Sequence, residues 1–273
     1  MAITINTLSP VAFSVFGIDV RWYALAYIAG FVIGYWLFRK MLASESSPIK
    51  LDKKQLDDLF TAVILGVVLG GRLGYVLVYN PLQFIAHPLE IFALWHGGMS
   101  FHGGLVGVLL AVWMFARKNK IRTLSILDML AVVVPIGLFF GRIANFVNKE
   151  LMGYETTVPW AVKFGEDAPA LHPSPIYEAL GEGVFLFALM ALLYRFTGLR
   201  KRPGALAGIM AMSYAVARGV CELFRVPDVQ IGVLANIHIG TWVWGVTMGQ
   251  LLSGIMFIAG AIIFAFAFRK KEV

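Results

Sequence analysis

The sequence predicts an all-α integral membrane protein with seven transmembrane helices. Its 273 residues are 59% hydrophobic and only 14% charged, and the mean hydropathy is +0.77. The apolar residues come in long uninterrupted runs, which is typical of a polytopic membrane protein and excludes an ordinary soluble domain. We expect one membrane domain covering residues 1–273, with a small extracytoplasmic cap formed mainly by residues 148–173.

Each predicted span is an apolar run that approaches the length needed to cross the membrane. A helix needs about 20 residues to cross a hydrocarbon core of about 30 Å. The third run is short for a span, and the last is long enough to tilt. The predicted spans are residues 22–41, 57–79, 101–116, 124–147, 174–195, 204–223 and 240–268.

The positions of the basic residues predict the orientation of these spans. A net charge of +7 would suit a nucleic-acid partner, but we expect none, because most Lys and Arg residues lie in short loops between apolar runs. Such loops are typically cytoplasmic, which places the N-terminus outside and the C-terminus inside. The basic clusters are Arg39, Lys40, Lys50, Lys53 and Lys54; Arg117, Lys118, Lys120 and Arg122; Arg195, Arg200, Lys201 and Arg202; and Arg269, Lys270 and Lys271.

The cysteine content and the first residues of the chain argue against a disulfide, a zinc site and a cleaved signal peptide. Cys221 is the only cysteine, so no internal disulfide can form, and we expect it to fill apolar space. No Cys/His spacing resembles a zinc site. The first basic residue is Arg21, so we expect no cleaved signal peptide and a first span that is retained as an anchor.

Three arginines fall inside predicted spans and are not explained by topology. They are Arg72, Arg142 and Arg218. A charge near the bilayer centre costs at least about 2.5–3.5 kcal/mol, so such residues usually face a protein interior or an aqueous cavity. Arg142 belongs to residues 141–153, where we expect Gly141 to let span four pack closely. The partner of Arg72 could be any of several carboxylates.

The sixth predicted span carries Tyr214, Arg218, Glu222 and Arg225 at spacings of four, four and three. These spacings place the four side chains on one helical face. With Arg142, Arg218 would form a pair of guanidinium groups suited to holding a phosphate. The alternative is structural, in which Arg218 and Glu222 only neutralise each other.

The fifth and fourth spans contribute further carboxylates. Span five begins with the segment from His172 to Glu178, and Glu182 follows one turn later. The prolines in that segment suit a helix entry, and the two carboxylates suit buried arginines as partners. Asp128 stands near the start of span four, where we predict that it interacts with the N-terminus of its own helix.

Two further groups combine polar and small or aromatic residues near the outer ends of spans. The segment from His96 to Gly104 enters span three, and its paired glycines either bring the backbone close to a ligand or only allow close helix packing. His102 within it either accepts a proton or has a purely structural role. In span one, Trp22 and Tyr27 suit an aromatic belt, whereas Tyr23 is also a site candidate.

Taken together, residues 141–153, the His96–Gly104 segment, the start of span five and the Tyr214–Arg225 face resemble the bacterial prolipoprotein diacylglyceryl transferases. The resemblance covers nearly the whole chain in order, and the pattern Gly-Arg-x-x-Asn-Phe-x-Asn-x-Glu-x-x-Gly at residues 141–153 is specific. Ala144 stands where the family often has glycine, which is a small-for-small change.

The resemblance implies a reaction, a location and a set of site residues. The family moves the diacylglyceryl group of phosphatidylglycerol onto the thiol of a cysteine in a prolipoprotein signal peptide, and a thioether and glycerol phosphate result. It implies a seven-span enzyme of the bacterial plasma (inner) membrane, without a metal or an organic cofactor, whose cavity opens to the outer leaflet and to membrane lipids. The implied site residues are Tyr23, His102, Arg142, Asn145, Gly153, Tyr214, Arg218 and Glu222.

These residues fit the implied chemistry in distinct roles. We expect His102 to be the base, and Arg142 with Arg218 to stabilise the phosphate that leaves. Arg142 would also bind the substrate headgroup, together with Tyr23, Asn145, Gly153, Tyr214 and Glu222. Without the resemblance, a transporter of an anionic or lipid substrate would be the main rival, because buried charges also line substrate pathways. A structural scaffold would not need three buried arginines.

Overall fold

The computed structural model describes residues 2–6, 8–78, 81–93, 97–226, 233–239 and 242–269. Several residues used above lie outside this part of the chain. They are His96 at the start of the glycine-rich segment, Tyr79 at the end of predicted span two, Gly240 and Thr241 at the start of predicted span seven, and Lys270 and Lys271 in the last basic cluster.

A helix stands at each of the seven predicted positions. Within the residues that the structure describes, five of them, α1, α2, α5, α6 and α8, are long and apolar enough to cross a membrane, and α7 is a shorter apolar helix. This confirms an all-α, multi-pass integral membrane protein. In chain order the helices are α1 (Trp22–Ala43), α2 (Lys53–Val78), the short α3 (Pro81–Ala86), α4 (Phe101–Lys118), α5 (Thr123–Val147), α6 (Ser174–Phe196), α7 (Ala205–Cys221) and α8 (Met248–Phe268).

In the described part of the chain, short strands that were not predicted form three two-stranded sheets outside these helices. β1 (Ile3–Thr4) pairs in parallel with β4 (Val162–Lys163), and β2 (Val11–Val15) pairs antiparallel with β3 (Ile18–Arg21). β5 (Val233–Ile239) and β6 (Trp242–Thr247) form the third, antiparallel pair.

The predicted start of span seven at residue 240 was wrong, because α8 begins at Met248. The preceding residues are rich in Trp and Val, which favour strands, and they form β6. Thr247 and Gln250 then form a capping box. The Thr247 hydroxyl accepts from the Gln250 N–H at 3.2 Å, and the Gln250 side chain accepts from the Thr247 N–H at 3.3 Å.

The chain forms two compact units, a small unit of residues 39–127 and a large unit of residues 1–38 and 128–273. In the small unit, α2 and α4 pack through glycines. A Cβ atom on Gly70 would lie 2.5 Å from the carbonyl oxygen of Gly103, and one on Gly107 would lie 2.1 Å from that of Gly66. Close helix packing, one of the two alternatives considered for the glycines of residues 96–104, is therefore what Gly103 provides.

We expect Gly107→Ala to lower the unfolding temperature of the protein by about 2–12 °C, because overpacking costs about 1–3 kcal/mol. The added methyl group would press on the Gly66 carbonyl and on Cα of Gly70, both of which belong to the backbone. Thermal unfolding in detergent measures the effect. Gly104→Ala is the matched control, since its methyl group meets the Val67 carbonyl at an ordinary 3.5 Å. Equal unfolding temperatures for the two variants would show that the contact is not tight.

Arg72 is paired with backbone carbonyl groups rather than with a carboxylate. Its guanidinium donates to the carbonyl oxygens of Ile91 at 2.9 Å, Gly98 at 3.1 Å and Ala93 at 3.3 Å, and also to those of Glu90 and Gly97. The carboxylate partner considered for Arg72 is therefore wrong. The side chain is buried. Its N–H donors bond to five backbone carbonyl groups, so both the guanidinium and the carbonyl groups have hydrogen-bond partners.

In the large unit, Asp128 caps a helix other than its own. Its carboxylate accepts from the backbone N–H groups of Gly204 and Ala207, both at 2.7 Å, at the start of α7. The predicted interaction with the N-terminus of its own helix was wrong, because α5 begins at Thr123, well before Asp128. The bonds to α7 satisfy free N–H groups there and explain why a carboxylate can be fully buried at this position.

Candidate functional site

Arg142 on α5 contacts two fully buried carboxylates of α6. Its Nη1 lies 3.0 Å from Oε2 of Glu178, and its Nε and Nη2 donate to Oε2 of Glu182 at 3.0 and 2.9 Å. Both glutamates have no exposed surface. The prediction that these carboxylates are partners of buried arginines is confirmed.

Glu178 also contacts two arginines at the end of α7. Its Oε1 lies 2.5 Å from Nη1 of Arg218 and 3.4 Å from Nη1 of Arg225. Arg218 in turn contacts Oε2 of Glu222 at 2.5 Å, and the Thr247 hydroxyl donates to Oε1 of Glu222 at 2.8 Å. One carboxylate therefore holds guanidinium groups from α5 and α7 side by side. We call Arg142, Glu178, Glu182, Arg218, Glu222 and Arg225 the arginine–glutamate cluster.

The middle of α6 is a π-helix, from Ala179 to Phe185. π-helical turns are rare and often mark functional sites. Gly183 in this turn is needed for close packing, because a Cβ atom there would lie 2.6 Å from Cβ of Phe139 on α5. The π turn therefore begins directly after Glu178, includes Glu182, and lies at a close approach between α6 and α5.

Tyr214, Tyr23 and Asn145 extend the site around the cluster. Tyr214 is buried on α7, one turn before Arg218. The side-chain nitrogen of Asn145, a buried residue on α5, lies 3.5 Å from the Tyr23 hydroxyl and 3.1 Å from Oε2 of Glu150. Glu150 received no role in the sequence analysis, although it stands inside the specific pattern at residues 141–153.

Gly153 brings two backbone segments together after α5. Its N–H donates to the carbonyl of His172 at 2.9 Å, and the next N–H, of Tyr154, donates to the carbonyl of Phe224 at 3.1 Å. A Cβ atom on Gly153 would lie 2.1 Å from the Phe224 carbonyl oxygen. Any side chain at residue 153 would clash with this carbonyl group, so the position requires glycine. The hydrogen bond from Tyr154 joins residues 153–154 to the end of α7, next to Arg225.

We expect Gly153→Ala to accelerate hydrogen exchange at the Tyr154 amide by at least about tenfold, because the methyl group would break its bond to Phe224. Hydrogen-exchange mass spectrometry of peptides covering residues 153–172 measures this effect. Gly141→Ala is the control, since a Cβ atom there meets no atom within 4 Å in the described part of the chain. The same observation shows that the close packing predicted at Gly141 was wrong. Unchanged exchange in Gly153→Ala would contradict the steric argument.

His102 belongs to the small unit. It lies in the first turn of α4, where Ser100 caps the helix by accepting from the Gly103 N–H at 3.2 Å. The imidazole is exposed and makes an edge-on contact with the Phe101 ring at 5.5 Å. Of the predicted site residues, the large unit contains Tyr23, Arg142, Asn145, Gly153, Tyr214, Arg218 and Glu222.

An apolar cavity of about 540 Å³ lies between α6 and α7. Gly181 of the π turn and Cys221 line it, and both are next in sequence to members of the arginine–glutamate cluster. Cys221 is a buried free thiol, consistent with the predicted apolar filler. Among the described residues, no group of three His, Cys, Asp or Glu side chains is arranged to hold a metal.

The chain is similar over its whole length to a set of named proteins. A family model described as prolipoprotein diacylglyceryl transferase matches residues 10–266. A protein named phosphatidylglycerol–prolipoprotein diacylglyceryl transferase from Rhodospirillum rubrum is 46% identical, with 100% of this chain and 97% of the relative covered. Proteins of the same name from Methylocella silvestris and Nitratidesulfovibrio vulgaris are 47% and 48% identical; the alignments cover 97% and 93% of this chain, and 96% and 91% of the relatives.

Proposed function

The chain belongs to the prolipoprotein diacylglyceryl transferase family, and from this premise we propose how it works as a transferase acting on phosphatidylglycerol and prolipoproteins. Full-length similarity to relatives of that name is the observation that carries this function. It supports the transferase and not the alternative of a membrane transporter. The enzyme catalyses the diacylglyceryl transfer of lipoprotein biosynthesis.

We propose seven spans, with α4 and α7 crossing the membrane alongside the five longer helices. The basic clusters support an orientation with the N-terminus outside and the C-terminus in the cytoplasm. Residues 148–173 would then form the extracytoplasmic cap of a single membrane domain. For a bacterial enzyme that uses phosphatidylglycerol and exported prolipoproteins, this topology corresponds to the plasma (inner) membrane.

We propose that Arg142 and Arg218 bind the phosphate of the lipid headgroup. Glu178 supports this role, because it holds both guanidinium groups against one carboxylate. Each guanidinium has five N–H donors, so donors remain for a phosphate after the contacts with glutamates. Glu222 would hold Arg218 in place between turnovers, which lowers the cost of burying the charge.

The proposed reaction transfers the diacylglyceryl group from an oxygen of the phosphate to the sulfur of the cysteine. The thiolate of the signal-peptide cysteine forms a C–S bond to the diacylglyceryl group, and the C–O bond to the phosphate breaks. The electron pair leaves with glycerol phosphate, where Arg142 and Arg218 stabilise the developing charge. The thiol proton must go to a base, because a free cysteine has a pKa near 8.5 and is mostly protonated at neutral pH. We propose His102 as that base.

The remaining predicted site residues would complete the headgroup pocket. Asn145 contacts Tyr23 and Glu150, so its amide is oriented to bind the headgroup or to support Arg142 one turn earlier. Tyr214 would contribute a buried hydroxyl beside the arginines. Gly153 would act indirectly, by holding the cap against the end of α7.

We expect His102→Gln to lose at least about 99% of the transfer rate while phosphatidylglycerol still binds, because general-base catalysis contributes about 10²–10⁴-fold. Glutamine keeps the polarity of the side chain but cannot accept the proton. The rate and the lipid affinity are measured on the same preparation. His87→Gln, an exposed histidine of the small unit, is the matched control. Full activity in His102→Gln would remove this residue from the mechanism.

A direct assay tests the proposed function. Purified protein is mixed with phosphatidylglycerol labelled in the diacylglyceryl group and with a peptide that carries a signal-sequence cysteine. We expect label on the peptide, and none when the cysteine is replaced by serine. If the label crosses a vesicle membrane and never reaches the peptide, the transporter is the correct function.

A further inference from the structure

The β2–β3 hairpin before α1 has one polar and one apolar face. Residues directly opposite each other in an antiparallel pair share a face. Ser14 lies opposite Asp19 and donates to its carboxylate at 2.5 Å, which defines the polar face. Phe13 lies opposite Val20 on the other face, together with Val15. Phe13 and Val15 are 50% and 45% exposed in this chain, so the apolar face is open.

The turn of this hairpin presents an aromatic ring where a polar residue is usual. Phe16 and Gly17 both have positive φ, 50° and 80°, as in the tight two-residue turns that favour Asn-Gly. Phe16 is 101% exposed. A phenylalanine here accepts a disfavoured backbone conformation and, without a partner, leaves its whole ring in contact with water.

The hairpin is joined to a membrane-crossing helix without a linker. β3 ends at Arg21 and α1 begins at Trp22, whose N–H donates to the Pro10 carbonyl at 3.1 Å. Both ends of the hairpin are thus held at the first residue of the span. Its five-residue strand extends about 17 Å, so Phe16 stays within about that distance of the residue at which α1 begins.

From these observations we propose that the β2–β3 hairpin lies on the lipid bilayer, with Phe13, Val15 and Phe16 inserted into the leaflet in which α1 begins. The partner of this face is the phospholipid interface. The helix that follows the hairpin also exposes apolar side chains, among them Ile28 and Val32, and in this arrangement Ser14 and Asp19 would face water. An amphipathic hairpin beside the start of a membrane-crossing helix is stabilised at the interface, where its apolar face contacts lipid and its polar face contacts water.

The inserted hairpin would also fix the outer end of α1. Tyr23, which lies 3.5 Å from Asn145, follows the anchored residue Trp22 directly. The proposal does not depend on the transferase function, since it concerns only how the chain meets lipid.

Adjacent residues on opposite faces give a matched test. In a Cys221→Ala background, which removes the only native thiol, Val15→Cys and Ser14→Cys are labelled with an environment-sensitive fluorophore. The full-length proteins are reconstituted in phosphatidylglycerol–phosphatidylethanolamine vesicles. We expect lipid-borne bromine to quench the label at Val15→Cys at least about threefold more than the label at Ser14→Cys, and aqueous iodide to show the opposite preference.

A second substitution tests the anchor itself. Adding Phe16→Asp to the labelled Val15→Cys protein should shift its quenching from bromolipid towards iodide. Equal iodide quenching at the two labelled positions would overturn the proposal. Protection of the Val15→Cys label from both quenchers would overturn it as well, because the face would then be covered by protein rather than lipid.

Discussion

Replacing Glu178 with glutamine should lower the unfolding temperature by roughly 6–20 °C and abolish most transfer. Glu178 is fully buried and contacts Arg142, Arg218 and Arg225. The substitution keeps the shape of the side chain but leaves these guanidinium groups short of one negative charge. Breaking a buried ion pair costs about 3–5 kcal/mol, which corresponds to the stated temperature shift for a protein of this size.

Two variants make this prediction specific. Glu166→Gln removes an exposed carboxylate by the same chemistry and should shift the unfolding temperature by no more than about 2 °C. Glu222→Gln removes a carboxylate that contacts Arg218 within the cluster, and its effect should fall between the other two. If Glu178→Gln and Glu166→Gln unfold at the same temperature, Glu178 does not compensate the arginines.

Replacing Arg142 with alanine should weaken phosphatidylglycerol binding by roughly 10–100-fold. The estimate follows from about 1.5–3 kcal/mol for hydrogen bonds to a charged group, where 1.4 kcal/mol is a factor of ten. Equilibrium binding of labelled lipid in detergent measures this loss. Arg195→Ala, which removes an exposed arginine, is the control and should bind lipid normally. Unchanged affinity with lost turnover would assign Arg142 a purely catalytic role.

The double variant Arg142→Ala/Glu182→Gln separates binding from charge compensation. Arg142 donates twice to Oε2 of Glu182, so Arg142→Ala alone also leaves a buried carboxylate less compensated. The second substitution removes that charge. If Arg142 clamps the phosphate, the double variant should still bind lipid weakly. Recovery of lipid affinity in the double variant would show that Arg142 acts by neutralising Glu182.

Hydropathy was sufficient to predict where the seven longer helices stand, because a membrane-crossing helix needs a long apolar run. The same signal failed at residues 242–247, where Trp and Val are as apolar as a span but pair as a strand. The chemistry of single residues predicted the carboxylates of α6 as arginine partners. Residue chemistry could not identify the partner of each arginine, however. Arg72 donates its hydrogen bonds to backbone carbonyl groups, which every residue carries.

The Asp128 cap and the π turn of α6 depend on tertiary contacts, which the sequence near these residues does not indicate. Asp128 is close to the start of its own helix in sequence, and only the packing of α5 against α7 shows that it caps the latter. The π turn after Glu178 likewise has no composition that distinguishes it from an ordinary apolar helix. His102 and its role as a base remain a prediction.

The cap made by Asp128 has a consequence for chain length. It brings α5 and the start of α7 to a common origin, and from there Arg142 follows Asp128 by fourteen residues, as Arg218 follows Gly204. In an ideal helix each stretch rises about 21 Å, which agrees with the contact that both arginines make with Glu178. Inserting or deleting one residue in one stretch would displace its arginine by about 1.5 Å along the helix and rotate it by about 100° about the helix axis. Loops can therefore change length during evolution, but these two helical stretches are constrained to equal length.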